Sequence, residues 1–492
     1  MVSSTTKNNL VDYNTGISAV HPGLERSAAE AQFKVFAMLW AIASLFHMAH
    51  SNVFDREFDF ALLTLAALYV IFRPSMGGFL LLIAFQVFDA FFRMPFTTNH
   101  WIFTAFVNVT IFHALLYLVI RQRSFQISPG DLLKTFLPLV KIELVILYFF
   151  AVFHKINAGF FAEGSCAIDL LRAQNLDTLI PIPPGFYKLN AYLTLVIEAL
   201  IPVLLCFRRT RTAGILVGLF FHCVLSYSSY NAFYDFSSMV FAVYFLFTAP
   251  ELSVKILDHL RRIKTGIVRN VSPREFGYGK LVSRIALFVV GLGIVYLLTK
   301  KLDDFKSINL YFFWTVYSVL YFYIFISNQF FSKQTNNGQA VVSNRFTLAH
   351  WSLLIIPILV FVNGTIPYLG LKTENSYAMF SNLKTEGGES NHYIIPASAQ
   401  IFDYQKDVID IVSSSDPNLQ KIANANLSMV WFEFKNYLHT HRPSQVQYLR
   451  NGKLETYVKS DPSTHPPKNN YVLAKAMKFR AFAKEGAQPC SH

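Results

Sequence analysis

The sequence has few charged residues for a chain of 492 residues. Asp, Glu, Lys and Arg together make up 15% of it, whereas an average soluble domain contains about 25%. Hydrophobic residues make up 53%, with 49 Phe and 24 Tyr, and the mean hydropathy is +0.36. This composition argues against a large soluble protein and favours a polytopic protein in a lipid bilayer. The net charge of +13 lies mainly in short loops between apolar runs, so it does not indicate nucleic-acid binding.

The sequence also lacks an apolar leader and any CxxC motif. Residues 1–23 contain no apolar core, so we expect no cleaved signal peptide and expect the first span to direct the chain to the membrane. Cys206 and Cys223 lie in apolar runs and are expected to pack as small hydrophobic side chains. Cys166 and Cys490 are both predicted on the non-cytoplasmic side, where they could form a disulfide.

Apolar runs recur along the first three quarters of the chain. A helix that spans a bilayer needs about 20 mainly apolar residues, and the sequence predicts an all-α polytopic membrane protein of about eleven helices. The runs lie at 34–51, 58–73, 75–94, 101–121, 132–154, 187–207, 212–230, 236–250, 282–299, 308–331 and 347–366.

Basic residues are divided unevenly between the loops. The loops after even-numbered spans contain 16 Lys and Arg residues, and the opposite loops contain eight. Since cytoplasmic loops carry the excess of basic residues, residues 1–33 are predicted to be a cytoplasmic N-terminal segment. With an odd number of spans, residues 367–492 fall on the non-cytoplasmic side.

The segment at 367–492 differs in composition from the rest. Apolar runs give way to Asn, Ser, Pro and Lys. Residues 446–458 predict two strands around an Asn-Gly turn, and residues 416–443 predict a helix that ends near its proline. The sequence therefore predicts a small C-terminal α+β soluble domain.

Several polar side chains interrupt the apolar runs, where such groups usually face a cavity or a partner. His100, Thr104 and Asn108 share one helical face, which either lines a cavity or bonds to a neighbouring helix. Glu198 lies within TLVIEALIPVLL, where it either pairs with an arginine, accepts a hydroxyl proton or serves a site. His222 lies within GILVGLFFHCVLSYSS.

His47 and His50 are three residues apart, a spacing that suggests a metal site. Histidine-box metalloenzymes need further ligands, and the sequence has no second histidine box. The sequence therefore favours a site without metal.

Lys155 lies in YFFAVFHKINAGFF, residues 148–161, at the predicted end of a membrane helix. One interpretation is an interfacial lysine, whose stem lies in lipid while its ammonium reaches water. However, the segment is rich in Phe and has few carboxylates nearby, and desolvation lets an amine act as a base near neutral pH. The second hypothesis is a general base in an apolar pocket for a quinol-like or lipid-like substrate.

Three segments together resemble one known family. YFFAVFHKINAGFF is similar to the lysine-containing segment of vitamin K-dependent γ-carboxylases and of their wider relatives, the horizontally transferred transmembrane (HTTM) domain proteins. Residues 220–247 resemble the family's span that opens with Phe-His-Cys, and TNHW at 98–101 resembles its Asn-Asn-His segment. The segments come in the family order, and residues 370–392 resemble an HTTM tail segment. The resemblance implies an HTTM-type core at 34–260, with additional membrane helices at 261–366.

The resemblance also implies a chemistry. In γ-carboxylases the matched lysine deprotonates vitamin K hydroquinone, whose oxidation drives carboxylation of a glutamate in a protein or peptide substrate. By position, Lys155 would be the base, His100 would position reactants or stabilise developing charge, and His222 would shape the site. The cofactor would be reduced vitamin K or another quinol. His154 replaces a family lysine and the tail is short, so the resemblance supports quinol chemistry more directly than carboxylation.

Two other functions remain open. The first is a non-catalytic HTTM membrane protein that acts as a maturation, export or immunity factor for a secreted partner. The second is a transporter, although the sequence has neither an inverted repeat nor a pair of Gly/Pro-broken helices. The enzyme hypothesis expects Lys155, His100 and His222 to line one cavity.

Overall fold

The computed structural model is mostly helical, with a small antiparallel sheet near the C-terminus. Long apolar helices occupy the first three quarters of the chain, and short helices and strands follow. The structure describes residues 22–50, 58–174, 181–228, 233–269, 306–330 and 346–490.

The helices of the apolar region are joined mainly by short loops. Their bounds are α1 Pro22–His50, α2 Phe58–Phe72, α3 Met76–Arg93, α4 Asn99–Gln122, α5 Pro129–Phe153, α6 Cys166–Arg172, α7 Pro184–Cys206, α8 Arg211–Leu225, α9 Tyr234–Phe245, α10 Pro250–Arg269, α11 Lys306–Phe330 and α12 Ile355–Thr365.

Seven helical segments in the described ranges are long and apolar enough to cross a membrane. They are α1, α3, α4, α5, α7, α11 and the segment Trp351–Leu369 around α12, and the bent pair α9 and α10 would make an eighth. The runs predicted at 58–73 and 212–230 form α2 and α8, of 15 residues each. The run at 282–299 lies outside the described residues. The helices indicate a multi-pass membrane protein, and the count of eleven spans and the orientation of the termini stay predictions.

The run predicted at 236–250 ends earlier than expected. Helix α9 stops at Phe245, and α10 leaves it at an angle of 112°. Pro250 begins α10, and the residues after it are rich in charge. Since proline lacks a backbone N–H and charged side chains avoid hydrocarbon, the apolar segment cannot continue straight into α10.

Helix α1 lies at the centre of the bundle and packs against α2, α5, α9 and α10. The rings of Phe36 and Phe136 lie 5.7 Å apart in its buried core. The indole of Trp40 donates to Gln86 Oε1 on α3 and to Asn108 Oδ1 on α4, each at 3.0 Å. Asn108 therefore serves helix packing, one of the two roles expected for the polar face of α4.

The C-terminal part contains five antiparallel strands in the order β4-β3-β1-β2-β5. The predicted hairpin at 446–458 is confirmed, since β3 and β4 pair across Asn451 and Gly452, both with positive φ. The strands are β1 Val408–Ser414, β2 Leu427–Val430, β3 Gln445–Arg450, β4 Lys453–Val458 and β5 Phe482–Ala483, and the helices are α13 Pro417–Asn424, α14 Trp431–His441 and α15 Tyr471–Ala476.

The prediction of a single helix at 416–443 is wrong. The structure has two helices there, α13 and α14, and strand β2 lies between them and pairs with β1 and β5. Asn426 has a left-handed φ of 54° directly before β2, a conformation that Asn tolerates and that cannot continue a helix. Pairing with strands distant in sequence outweighs the local helical pattern.

The tail is attached to the helices by its first segment and by a disulfide. Most residues of 372–386 are buried, and Asn99 Oδ1 at the start of α4 accepts from the backbone N–H of Tyr377 at 2.7 Å. Cys166 and Cys490 form a disulfide, as the sequence allowed. Cys206, expected to pack as a small hydrophobic side chain, is exposed instead because it is the last residue of α7.

Candidate active site in the helix bundle

The loop that carries Lys155 follows directly after α5. The side chain of Asn157, which is fully buried, accepts from the backbone N–H of Phe160 and donates to the carbonyls of His154 and Ser381. A buried amide with three bonds fixes the loop on both sides of Lys155 and ties it to the tail. The loop therefore has a defined course where α5 ends.

Lys155, His100 and His222 line one cavity of about 620 Å³, as the enzyme hypothesis expects. This volume lies within the range of small-molecule sites. Helices α4 to α9 and the tail segment 374–380 contribute to its wall. The structure thus brings the three candidate residues together, and their catalytic roles stay predictions.

Lys155 is paired with a carboxylate. Its Nζ lies 2.5 Å from Glu198 Oε2 on α7, and Lys155 and Glu198 are 5% and 9% exposed. The interpretation of Lys155 as an interfacial lysine is therefore wrong, because its ammonium points into the cavity and not to bulk water. Few carboxylates lie near Lys155 in the sequence, but helix packing brings in Glu198, which pairs with this lysine and not with an arginine.

The Lys155–Glu198 contact is a short hydrogen bond between two buried side chains. Breaking such a buried pair would leave an uncompensated charge, which is strongly destabilising, so the cavity keeps the two side chains together. Side chains of these two types are general acids and bases in enzymes.

His222 belongs to a chain of aromatic hydroxyl groups. Its Nε2 lies 2.6 Å from Tyr148 Oη, and Tyr148 is hydrogen-bonded in turn to Tyr244 Oη. His222 Nδ1 is buried and has no hydrogen-bond partner within the part of the chain that the structure describes. An unpaired buried polar atom is uncommon in folded proteins. Tyr148 also lines the cavity, as Lys155 does.

His100 is held by an acidic residue that the sequence analysis did not single out. His100 Nε2 lies 2.8 Å from Asp235 Oδ2, and His47 Nδ1 lies 2.9 Å from the same oxygen. The ring of His47 stacks on Trp101, with the centroids 3.6 Å apart. The signal that could have found Asp235 is its position as an acid inside an aromatic, apolar run. The side chain of His50 lies outside the described residues.

Part of the cavity wall is apolar. Phe186 and Leu193 on α7 and Phe220 and Val224 on α8 line the cavity, and all four side chains are exposed. In a bundle that spans a bilayer, exposed apolar side chains on the outer surface face lipid.

Polar residues of the tail also line the cavity. They include Glu374 and Lys478. Burial raises the pKa of the Glu374 carboxyl, and burial lowers the pKa of the Lys478 amine. The cavity wall thus combines apolar side chains of the helices with titratable groups of the tail.

Comparisons with models of known protein families, with curated proteins and with solved structures found no match to this chain. The resemblance to γ-carboxylases and HTTM proteins therefore stays a prediction from the three sequence segments.

Proposed function

We propose that this protein is an integral membrane enzyme that oxidises a lipophilic hydroquinone, with Lys155 as the general base, in the manner of vitamin K-dependent γ-carboxylases. The observation that supports the proposal most is the contact of 2.5 Å between Lys155 Nζ and Glu198 Oε2 inside a cavity of about 620 Å³. A proton-accepting pair in a largely apolar cavity is what deprotonation of a buried phenol requires.

The first step would be proton transfer within the pair and from the substrate. When Glu198 takes a proton from Lys155, the neutral amine can accept the proton of a hydroquinone hydroxyl. The products are a hydroquinone anion and the ammonium of Lys155, which stabilises the anion at short range. In a site that excludes water, such electrostatic stabilisation is stronger than in solution.

The aromatic hydroxyl chain and His222 would stabilise the same anion. His222 lines the cavity, and its Nε2 is held by Tyr148 at 2.6 Å. His100, fixed by Asp235 at 2.8 Å, would orient the second reactant. These roles for His100 and His222 follow the positions that the family resemblance assigns to them.

The later steps would need dioxygen and carbon dioxide. By the resemblance, hydroquinone, O₂, CO₂ and a glutamate C–H give the quinone epoxide, a γ-carboxyglutamate and water, which balances in atoms and electrons. A reduced quinone with an apolar tail fits the part of the cavity wall on α7 and α8 because the residues there are apolar. Quinol oxidation is the part of this reaction that the site supports best.

The experiment uses membranes that contain the full chain, with reduced vitamin K and labelled bicarbonate. Epoxide and incorporated label are measured separately. We expect epoxide from the wild type and a decrease of about 100-fold or more for Lys155→Ala and Lys155→Arg, since loss of a general base costs about 10²–10⁴-fold. Arg keeps the charge but cannot act as a base.

The matched control is Lys188→Ala. Lys188 lies on α7 and is 63% exposed, with an ion pair to Glu163 on the surface. This variant should keep wild-type epoxide formation. Wild-type membranes that form no epoxide, or a Lys155→Ala variant as active as the wild type, would rule out the proposal, whereas epoxide without label would limit it to quinol oxidation.

A further inference from the structure

Three side chains from three different helices meet at one point, and two of them, His100 and Asp235, line the cavity. The three are His47 on α1, His100 on α4 and Asp235 on α9. Their potential ligand atoms, one from each residue, lie within 4.8 Å of one another. The nitrogens of His47 and His100 lie 2.9 and 2.8 Å from Asp235 Oδ2.

The donor set and its spacing fit a metal ion. Two imidazole nitrogens and one carboxylate oxygen are ligands that zinc and non-haem iron share. Ligand atoms at about 2.1 Å from an ion and at right angles to one another lie roughly 3 Å apart. The two nitrogen–oxygen separations already have this value, although hydrogen bonds alone would give it as well.

The space beside two of the three side chains, His100 and Asp235, is the second observation. A void of about 10 Å³ lies beside His100, Asp235, Trp101 and Met239, and a void of this size holds about one water-sized species. His100 and Asp235 also line the cavity of about 620 Å³. An ion at this position would therefore have room beside its protein ligands and would be reached from the cavity.

The ligands are held in position by their surroundings. His47 stacks on Trp101 with an angle of 9° between the rings, and the Trp101 indole donates to Asp89 Oδ2 at 2.7 Å. Asp89 in turn accepts from Arg93 at 2.9 Å. Supporting contacts of this kind orient metal ligands and raise affinity.

We propose that His47, His100 and Asp235 bind one divalent first-row transition-metal ion, with the remaining coordination positions facing the cavity. The inference does not depend on the quinol reaction. The sequence favoured a site without metal because it has no second histidine box beside His47 and His50, whereas the two further ligands in the structure, His100 and Asp235, lie 135 residues apart along the chain. In the metal-bound protein His100 is a ligand and orients reactants through the ion.

The test measures metal content and not activity. The full chain is purified in detergent through an affinity tag without histidine, incubated with Co²⁺ and desalted. Cobalt is then measured by mass spectrometry and by its visible absorption bands. We expect about one ion per chain in the wild type. For Asp235→Asn and for His47→Ala, we expect the affinity for cobalt to fall by more than roughly 10- to 100-fold, which is what the loss of a contact that only supports a metal ligand costs.

His350→Ala is the matched control, because His350 is exposed and bonded to Ser352 far from the cavity. It should bind cobalt like the wild type. If His47→Ala does not fold, the cobalt affinity of Asp235→Asn decides whether the metal site exists, because this substitution keeps the size of the side chain. A wild type without bound cobalt, or an Asp235→Asn variant that binds as tightly as the wild type, would show that the three side chains form a hydrogen-bonded cluster only. Because epoxide formation is not measured, failure here leaves the proposed function standing.

Discussion

The candidate site concentrates its proton chemistry in the pair of Lys155 and Glu198. Each residue alone would be an uncompensated charge in an apolar environment. Together they form a hydrogen-bonded pair at 2.5 Å, which the proposed function uses to accept the proton of the substrate. Burial disfavours an unpaired charge, and the same rule applies to Lys372, a buried lysine that lies in the tail.

Lys372 is 7% exposed, and burial lowers its pKa to about 8 from 10.5. The unfolded chain binds more protons than the folded protein between these values, so stability rises with pH from about 8 to 10.5. Below pH 8 the folded protein contains the buried Lys372 ammonium, which lowers the free energy of unfolding by about 3 kcal/mol at most. Lys372→Met should therefore raise the melting temperature in detergent at pH 7, and the gain over wild type should shrink towards pH 10.

The comparison for Lys372 is Lys453→Met, since Lys453 is exposed at the start of β4. Its melting temperature should follow the wild type at both pH values. A Lys372→Met protein that melts below the wild type at pH 7 would show that the Lys372 ammonium is stabilised in the folded protein.

At the scale of elements, close contact between helices depends on small residues at defined positions. Gly364 on α12 lies against the ring of Phe150 on α5, and a Cβ at Gly364 would overlap that ring. Phe150 is 1% exposed and cannot move into open space. The packing of the end of α5, which precedes the Lys155 loop, therefore depends on the glycine at position 364 of the neighbouring helix α12.

Gly364→Ala should lower the melting temperature in detergent, because overpacking a close contact costs about 1–3 kcal/mol. Gly77→Ala on α3 is the matched control, since no atom lies within 4 Å of its added Cβ. This control should be neutral or stabilising, because Ala favours helix more than Gly. Equal melting temperatures for Gly364→Ala and the wild type would mean that α12 does not pack closely on α5.

At the scale of the whole molecule, the tail forms part of the cavity wall. The segment 374–380 lines the cavity, and the disulfide joins Cys166, at the start of α6, to Cys490, 324 residues later. The cavity is therefore bounded both by helices and by the tail. Loss of the cross-link should loosen the tail and leave the helices in place.

Cys490→Ser should lower the melting temperature, since removing a disulfide typically costs about 2–4 kcal/mol. Thiol labelling of the denatured wild type should modify two cysteines, Cys206 and Cys223, and four after reduction. Cys223→Ser is the control and should leave the melting temperature near that of the wild type. Four reactive thiols before reduction would show that the disulfide is absent.

The sequence by itself determined those features of the fold that depend on residues close to one another in the chain. Apolar runs of sufficient length predict membrane helices, and the Asn-Gly pair at Asn451 and Gly452 predicts the hairpin, because both signals act within a few residues. Polar groups within apolar runs, such as His100, His222 and Lys155, are visible as site candidates because burying them is costly. The small α+β character of the tail followed in the same way.

Only the tertiary structure decided which of these groups meet. Lys155 and Glu198 are 43 residues apart, and His47 and Asp235 are 188 apart. Their contacts arise from the packing of α5 on α7 and of α1 on α9, which a local pattern does not encode. Strand β2 divided a predicted helix for the same reason, since its partners β1 and β5 lie elsewhere in the chain. Helix packing thus brought Lys155, His100 and His222, which the sequence could name, into one cavity with Glu198 and Asp235, and strand pairing decided the fold of the tail.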